Sequence, residues 1–168
     1  MKDKRYANRG KKLEKLIDEA NDHYRNLGLA DIRKVPTPFK PLKLKGNLVT
    51  GHFMKPDWVD YVGVYRGNAV CIEAKQTAGK SLPLANIHDQ QFDFMESWYK
   101  NGAQVFLLVY FSESEDFYLL PYFNLKEAKQ RMVEGGRKSI AIDEFELWAY
   151  KVTPGAGVKL NYLDFLGI

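Results

Sequence analysis

The chain has 168 residues, 45% of them hydrophobic and 27% charged, with a formal net charge of +4. That length suits one domain spanning residues 1–168, because domains commonly run to about 100–200 residues around one core. No apolar run approaches the ~18 residues of a membrane span, and MKDKRYANRGKKLEKL at the start lacks an apolar signal core, so neither membrane insertion nor export is expected.

Cys71 is the sole cysteine, which excludes an intramolecular disulfide, leaves too few thiols for structural zinc and suits a reducing cytoplasm. His23, His52 and His88 are widely separated and show no metal-ligand spacing. Positive charge is segregated. Lys2, Lys4, Arg5, Arg9, Lys11 and Lys12 face only Asp3, and the stretch from Arg33 to Lys55 carries Arg33, Lys34, Lys40, Lys43, Lys45 and Lys55 with no acid. Such segregation favours a polyanionic partner through counterion release, although a solvated basic surface is the commoner meaning of any single run.

In chain order, Leu13, Leu16, Ile17, Ala20, Tyr24 and Leu27 repeat at three and four residues and predict a helix from about Asn8 to Leu27, stopped by Gly28. A short strand over Asp31 to Val35 then meets Pro36, Pro38 and Pro41, which prevent helix and favour an extended basic excursion, PTPFKPLKLKGNLVTGHFMKP. VDYVGVYRGNAVCIEAK reads as two strands joined by a hairpin turn at Gly67 and Asn68. ANIHDQQFDFMESWYKNG reads as a helix ending at Gly102, AQVFLLVYF as a buried strand, FYLLPY as another, and NLKEAKQRMVEGG as a short helix. From RKSIAIDEF onward the pattern is mixed. Helices alternating with strands around a mixed sheet make this an α/β domain.

Side chains two apart on a strand share a face, so Glu73 and Lys75 point together. A two-residue turn at Gly67 and Asn68 sets position 60 opposite 75 and 62 opposite 73, bringing Asp60 to the same face; a three-residue turn would reverse the parity and bring in Asp57. Two acids held together are costly to ionise unless a cation lies between them, and magnesium accepts one or two carboxylates while keeping several waters. Such an ion polarises a scissile phosphate and acidifies a bound water, with Lys75 stabilising developing charge, which is the chemistry of a phosphodiester hydrolase. The plain alternative is an exposed cross-strand pair of Asp60 with Lys75, worth under about 1 kcal/mol.

PDWVDYVGVYRGNAVCIEAK resembles the PD-(D/E)XK nuclease signature, and the chain more specifically resembles the RecU family of Holliday junction resolvases. The matching landmarks are RGKKLEKLI with NDHYR, KVPTPFKP, VDYVGVY, IEAKQT, LPLANIHDQQ, FLLVYF and GRKSI, in family order from Arg9 to Ile140. The resemblance implies a restriction-endonuclease-like core, a central mixed β-sheet flanked by helices, with a protruding basic stalk inserted at about 35–56. It implies catalytic roles for Asp60, Glu73, Lys75, Gln91 and Glu14, with Asp60 and Glu73 holding magnesium, or manganese as a substitute. Read by themselves, Glu14 is equally an exposed helix charge and Gln91 a polar residue at the edge of a packed helix face.

The resemblance also implies a homodimer acting on branched DNA, a four-way junction, contacted by Arg9, Lys11, Lys34, Lys40, Lys43, Lys45, Arg137 and Lys138. Three departures stand out. Trp58 and Val59 occupy places usually held by small hydroxyl residues, Gln90 replaces a usual histidine, and the stalk is shorter than typical, which would suit a compact phage or prophage version. The expected function is a magnesium-dependent, structure-selective endonuclease making paired nicks in four-way junctions. The alternatives are a PD-(D/E)XK nuclease for another DNA substrate and a non-catalytic protein that binds and bridges branched DNA.

Overall fold

The structure is a computed structural model that describes residues 11–54 and 57–166. Its elements are α1 (Lys11–Asn26), β1 (Ala30–Lys34), β2 (Phe39–Lys45), β3 (Leu48–Phe53), β4 (Tyr61–Tyr65), β5 (Asn68–Thr77) and β6 (Ser81–Pro83), then α2 (Asp89–Lys100), β7 (Gln104–Phe111), β8 (Asp116–Pro121), α3 (Tyr122–Val133), β9 (Ser139–Ala141), α4 (Ile142–Trp148) and β10 (Tyr150–Val152). Arg9 and the expected start of the first helix at Asn8 lie outside the described residues. No helix among those described is long and apolar enough to cross a membrane.

Six strands form a mixed sheet in the order β1-β4-β5-β7-β8-β10, in which β5 and β7 run parallel and the other neighbours antiparallel. The helical repeat of α1 buries Leu13, Ile17, Ala20 and Tyr24 on one face of this sheet, against Ile32, Tyr61, Ile72 and Leu108, while Leu160, Tyr162 and Leu163 of the C-terminal segment close the same layer. The opposite face packs Cys71, Leu107, Val109 and Leu120 against Phe92 and Met95 of α2, Leu125 and Ala128 of α3 and Phe145 of α4. Alternation along β5 thus sends Cys71 one way and Ile72 the other, the period-two signature of a sheet buried on both faces.

The hairpin turn corrects the expected register. Its central residues are Arg66 and Gly67, both with positive φ (48° and 78°), and the pairing closes at Tyr65 opposite Asn68. Two successive positive-φ residues match the right-handed twist of the flanking strands. The turn therefore sits one residue earlier than Gly67 and Asn68, which changes the paired sums by two and leaves the parity unchanged. Tyr61 lies opposite Ile72, and the register continues to place Asp60 beside Glu73 rather than Lys75.

Gly63 permits the close approach of β1 to β4. A Cβ there would lie 2.1 Å from the Asp31 carbonyl oxygen and 2.4 Å from the Ile32 Cα, both backbone atoms. Gly63→Ala is expected to destabilise the fold by about 3 kcal/mol, because the strands must separate. The neighbouring exposed Val64→Ala should stay within about 0.5 kcal/mol, a contrast that urea unfolding measures.

The proline-rich excursion is a two-stranded β-hairpin, β2 with β3, in which every residue of β2 is exposed. Pro41 pairs with Gly51 and Lys43 with Thr50, so Leu42 is an extra residue, a bulge next to a proline that cannot donate to the ladder. The bulge has a consequence for charge. Without it Lys40 and Lys43, an odd number apart, would point to opposite faces; with it, Lys40, Lys43 and Lys45 stand opposite His52, Thr50 and Leu48 on one face. The other face carries Phe39 and Phe53, with ring centroids 5.4 Å apart, together with Leu44 and Val49.

Two sequence boundaries shift for local reasons. The helix expected from Ala85 starts at Asp89, since residues 84–86 form a short 3-10 turn and Ile87 and His88 are extended. The helix expected from Asn124 starts at Tyr122, directly after Pro121, whose fixed φ suits a helix entrance. The mixed tail resolves into β9, α4 and β10, with β9 pairing with β6.

Candidate active site

Glu73 is the most buried acid of the sheet, with 0% exposure, and lies where β5 leaves the hydrophobic layer. Its Oε1 meets the Lys75 ammonium at 2.6 Å and accepts a hydrogen bond from the Gln91 Nε2 amide at 2.6 Å. Gln91 is itself fixed: its Oε1 accepts from the His88 backbone N–H at 3.1 Å and from Lys75 Nζ at 3.2 Å. The glutamine that closes the first turn of α2 is therefore also the one that orients Glu73, as the N3 side chain of a helix start reaches back to its cap.

Asp60 sits at the mouth of the same hairpin. Its Oδ2 accepts the Ala74 backbone N–H at 2.9 Å, and its own carbonyl accepts the Val35 N–H at 2.8 Å, so it is held by β5 on one side and by the chain leaving β1 on the other. Asp60, Glu73, Lys75 and Gln91 are thus brought together at the ends of β4 and β5 and the start of α2.

The electrostatics follow from burial. Desolvation first, and the neighbouring Asp60 charge second, push the Glu73 carboxyl from its usual 4.5 up to about 7, against the pull of Lys75. Glu73 Oε2 is buried without a hydrogen-bond partner among the described residues. A buried carboxylate oxygen left unpaired is expensive unless a cation meets it. No group of three or more His, Cys, Asp or Glu side chains is gathered as a metal site among the described residues. Two carboxylates, one with an orphaned oxygen, nevertheless fit a hard divalent ion that keeps much of its water.

Glu14 takes a different place. Its Oε2 pairs with Lys34 Nζ at 2.7 Å on the α1 side, and among the described residues no third carboxylate joins Asp60 and Glu73 as a metal-binding group. Asp18, one turn further along α1, accepts the Tyr61 hydroxyl at 3.0 Å. Sequence reading passes over Asp18 because it looks like an ordinary helix surface acid; only the packing of α1 on β4 brings Tyr61 to it. Burial, with the charges of Asp18, Glu14 and Asp60, drives the Tyr61 hydroxyl far above its usual range, so it remains a neutral donor.

Among the basic residues, Lys11 begins α1, Lys34 ends β1, and Lys40, Lys43 and Lys45 line one face of the β2–β3 hairpin. Arg137 hydrogen-bonds Ser139 Oγ at 3.3 Å and approaches Glu144 at 3.7 Å. The Lys138 carbonyl accepts the Leu84 N–H, and the residue lines a pocket with His88, Gln90 and Lys129 at the start of α2. Gln90, in the place where the resemblance leads one to expect a histidine, is exposed.

A mixed sheet flanked by helices, with two acids and a lysine at the parting of two hairpin strands, defines a restriction-endonuclease-like core of PD-(D/E)XK type. Residues 8–167 match the family RecU, Recombination protein U. The chain belongs to the RecU family. It is 38% identical over 165 residues to Holliday junction resolvase RecU of Staphylococcus saprophyticus, covering 94% of this chain and 79% of that protein. It is 34% identical over 170 residues to Holliday junction resolvase RecU of Streptococcus pneumoniae, covering 97% and 85%. In three dimensions it is similar to Hjc, a Holliday junction resolvase of Archaeoglobus fulgidus, with a TM-score of 0.51 at 11% identity over 82% of this chain and 94% of that one, a likeness of fold.

Proposed function

We propose that the protein is a Holliday junction resolvase, a magnesium-dependent endonuclease that nicks opposing strands of a four-way DNA junction as a homodimer in the cytoplasm. The observation that carries this reading is the convergence of Asp60, Glu73 and Lys75 with Gln91 at one end of the sheet. Magnesium is the metal of choice because the acids number two and the donors are oxygens. When bound, the ion supplies Lewis acidity at the scissile phosphate and an acidified water.

The chain's own residues do the rest. Asp60, locked to the Ala74 N–H, presents a carboxylate at a fixed position, and the buried Glu73 Oε2 has no hydrogen-bond partner among the described residues. Lys75 lies within reach of both Glu73 and Gln91, so its ammonium is positioned to stabilise charge building on the phosphate oxygens. Gln91 holds Glu73 in one rotamer. Glu14, tied to Lys34, serves the site by setting that lysine beside Asp60, and the lysines of the β2–β3 hairpin, with Lys11, Arg137 and Lys138, contact backbone phosphates. The test is direct. With magnesium, a labelled four-way junction should be nicked and a linear duplex of the same sequence spared; binding without cleavage in magnesium or manganese would overturn the reading in favour of a bridging protein.

A pH dependence follows from Glu73. Its carboxyl titrates near 7 in the folded chain and near 4.5 when unfolded, so its stabilising contribution is complete below about pH 4.5 and is lost as pH rises through about 7. The loss amounts to roughly 3 kcal/mol. Because a cation favours the ionised form, magnesium should raise the melting temperature more at about pH 8 than at about pH 6. Calorimetry of wild type beside Glu73→Gln checks this, since the variant should lose both the pH slope and the magnesium gain.

A further inference from the structure

Beside the acids lies an aromatic ladder that the hydrolytic chemistry does not use. Trp58 is 48% exposed, although Val59 next to it is buried at 2% and anchors the chain in the core. The indole is held in place rather than loose. It lies 5.0 Å from the Phe94 ring at an interplanar angle of 39°, and Phe94 stacks on Trp98 at 5.0 Å and 28°. Phe94 and Trp98 stand one and two turns beyond Gln91 on α2, so the ladder runs along the helix from the residue that orients Glu73. Trp58 stands two positions before Asp60, a span of at most about 7 Å along the chain.

We infer that Trp58 is a stacking platform for an unstacked nucleobase next to the scissile phosphate, a specificity-determining contact for branched over linear DNA. The inference rests on the nuclease reading of the Asp60 and Glu73 site and names what distinguishes its substrate. A linear duplex keeps its bases stacked on one another and offers the indole nothing, whereas a strand crossing between helices exposes a base face. An indole braced by Phe94, itself stacked on Trp98, loses little freedom on stacking, and base–aromatic stacking tolerates any base because each has a π-face. An aliphatic patch meant for protein packing would not need this arrangement of three rings side by side.

The test uses the full chain in the Glu73→Gln background, so that substrate survives, with 2-aminopurine flanking the scissile position of a four-way junction. Trp58→Ala should weaken junction binding by about 5- to 100-fold, leave duplex binding unchanged and abolish the 2-aminopurine emission change on binding. Trp58→Phe and Trp58→Tyr should keep most of the affinity and the signal, which guards against a fold defect in the alanine variant. Equal binding of junction by Trp58→Ala and its parent, or an equal loss for junction and duplex, overturns the platform. So does a fall of the native mass to a monomer in Trp58→Ala alone, which would make the indole a subunit contact. Failure of the nuclease reading shows separately, as absence of cleavage by the wild-type chain with magnesium.

Discussion

Glu73→Gln is expected to cut junction cleavage on the order of 10³-fold while making the metal-free protein more stable than wild type at about pH 8. Both effects have one cause. The side chain is wholly buried, and its charge is opposed by desolvation and by Asp60 more strongly than it is favoured by Lys75. The amide replaces that charge with a neutral group of the same shape, whose oxygen still accepts from Gln91 and Lys75. Up to about 3 kcal/mol is recovered in the folded state, and the anionic oxygen that a cation needs is lost. Such opposition between stability and activity marks a functional site better than loss of activity alone, because a merely structural acid would lose both. Circular-dichroism melts and single-turnover cleavage on the same preparations measure the two sides.

The second large effect is expected at the β2–β3 hairpin. Replacing Lys40, Lys43 and Lys45 together by alanine removes three cations that the Leu42 bulge aligns on one exposed face. If each neutralises one phosphate, the slope of log affinity against log salt falls in magnitude by about 2.7, and junction affinity drops roughly 100-fold at 0.15 M salt. The substitutions touch no buried residue, so the melting temperature should hold. A fluorescence-anisotropy titration at several salt concentrations measures slope and affinity together. An unchanged slope would remove the hairpin from the DNA contact surface.

How much of this was legible in the residues depends on the range of the forces involved. The pairing of Glu73 with Lys75 was readable because a strand's period of two is local and the apolar run through Val70 and Ile72 marks the strand. Either turn sends Asp60 to the Glu73 face: Gly67 is an obvious positive-φ residue, and Arg66 rather than Asn68 joins it. A shift of one turn residue changes the paired sums by two and preserves parity, so the face is the same in both registers.

Long-range features were not readable. The Leu42 bulge depends on how Pro41 meets Gly51 across the hairpin, and without it the three lysines would have been assigned to two faces. Pairing of Glu14 with Lys34, and of Asp18 with Tyr61, requires α1 to lie against the ends of β1 and β4. The short elements β9, α4 and β10 have three, seven and three residues, too few for any periodicity to declare itself.

The most direct measurement is strand-specific cleavage of a labelled four-way junction with magnesium by wild type and by Asp60→Asn, scored beside junction binding. Asparagine can still accept the Ala74 N–H through its side-chain oxygen, so the variant should fold and bind as wild type does. Symmetric nicks on two opposing strands are expected from the wild type and none from Asp60→Asn at equal junction occupancy. Nicking by Asp60→Asn at the wild-type rate would contradict this expectation.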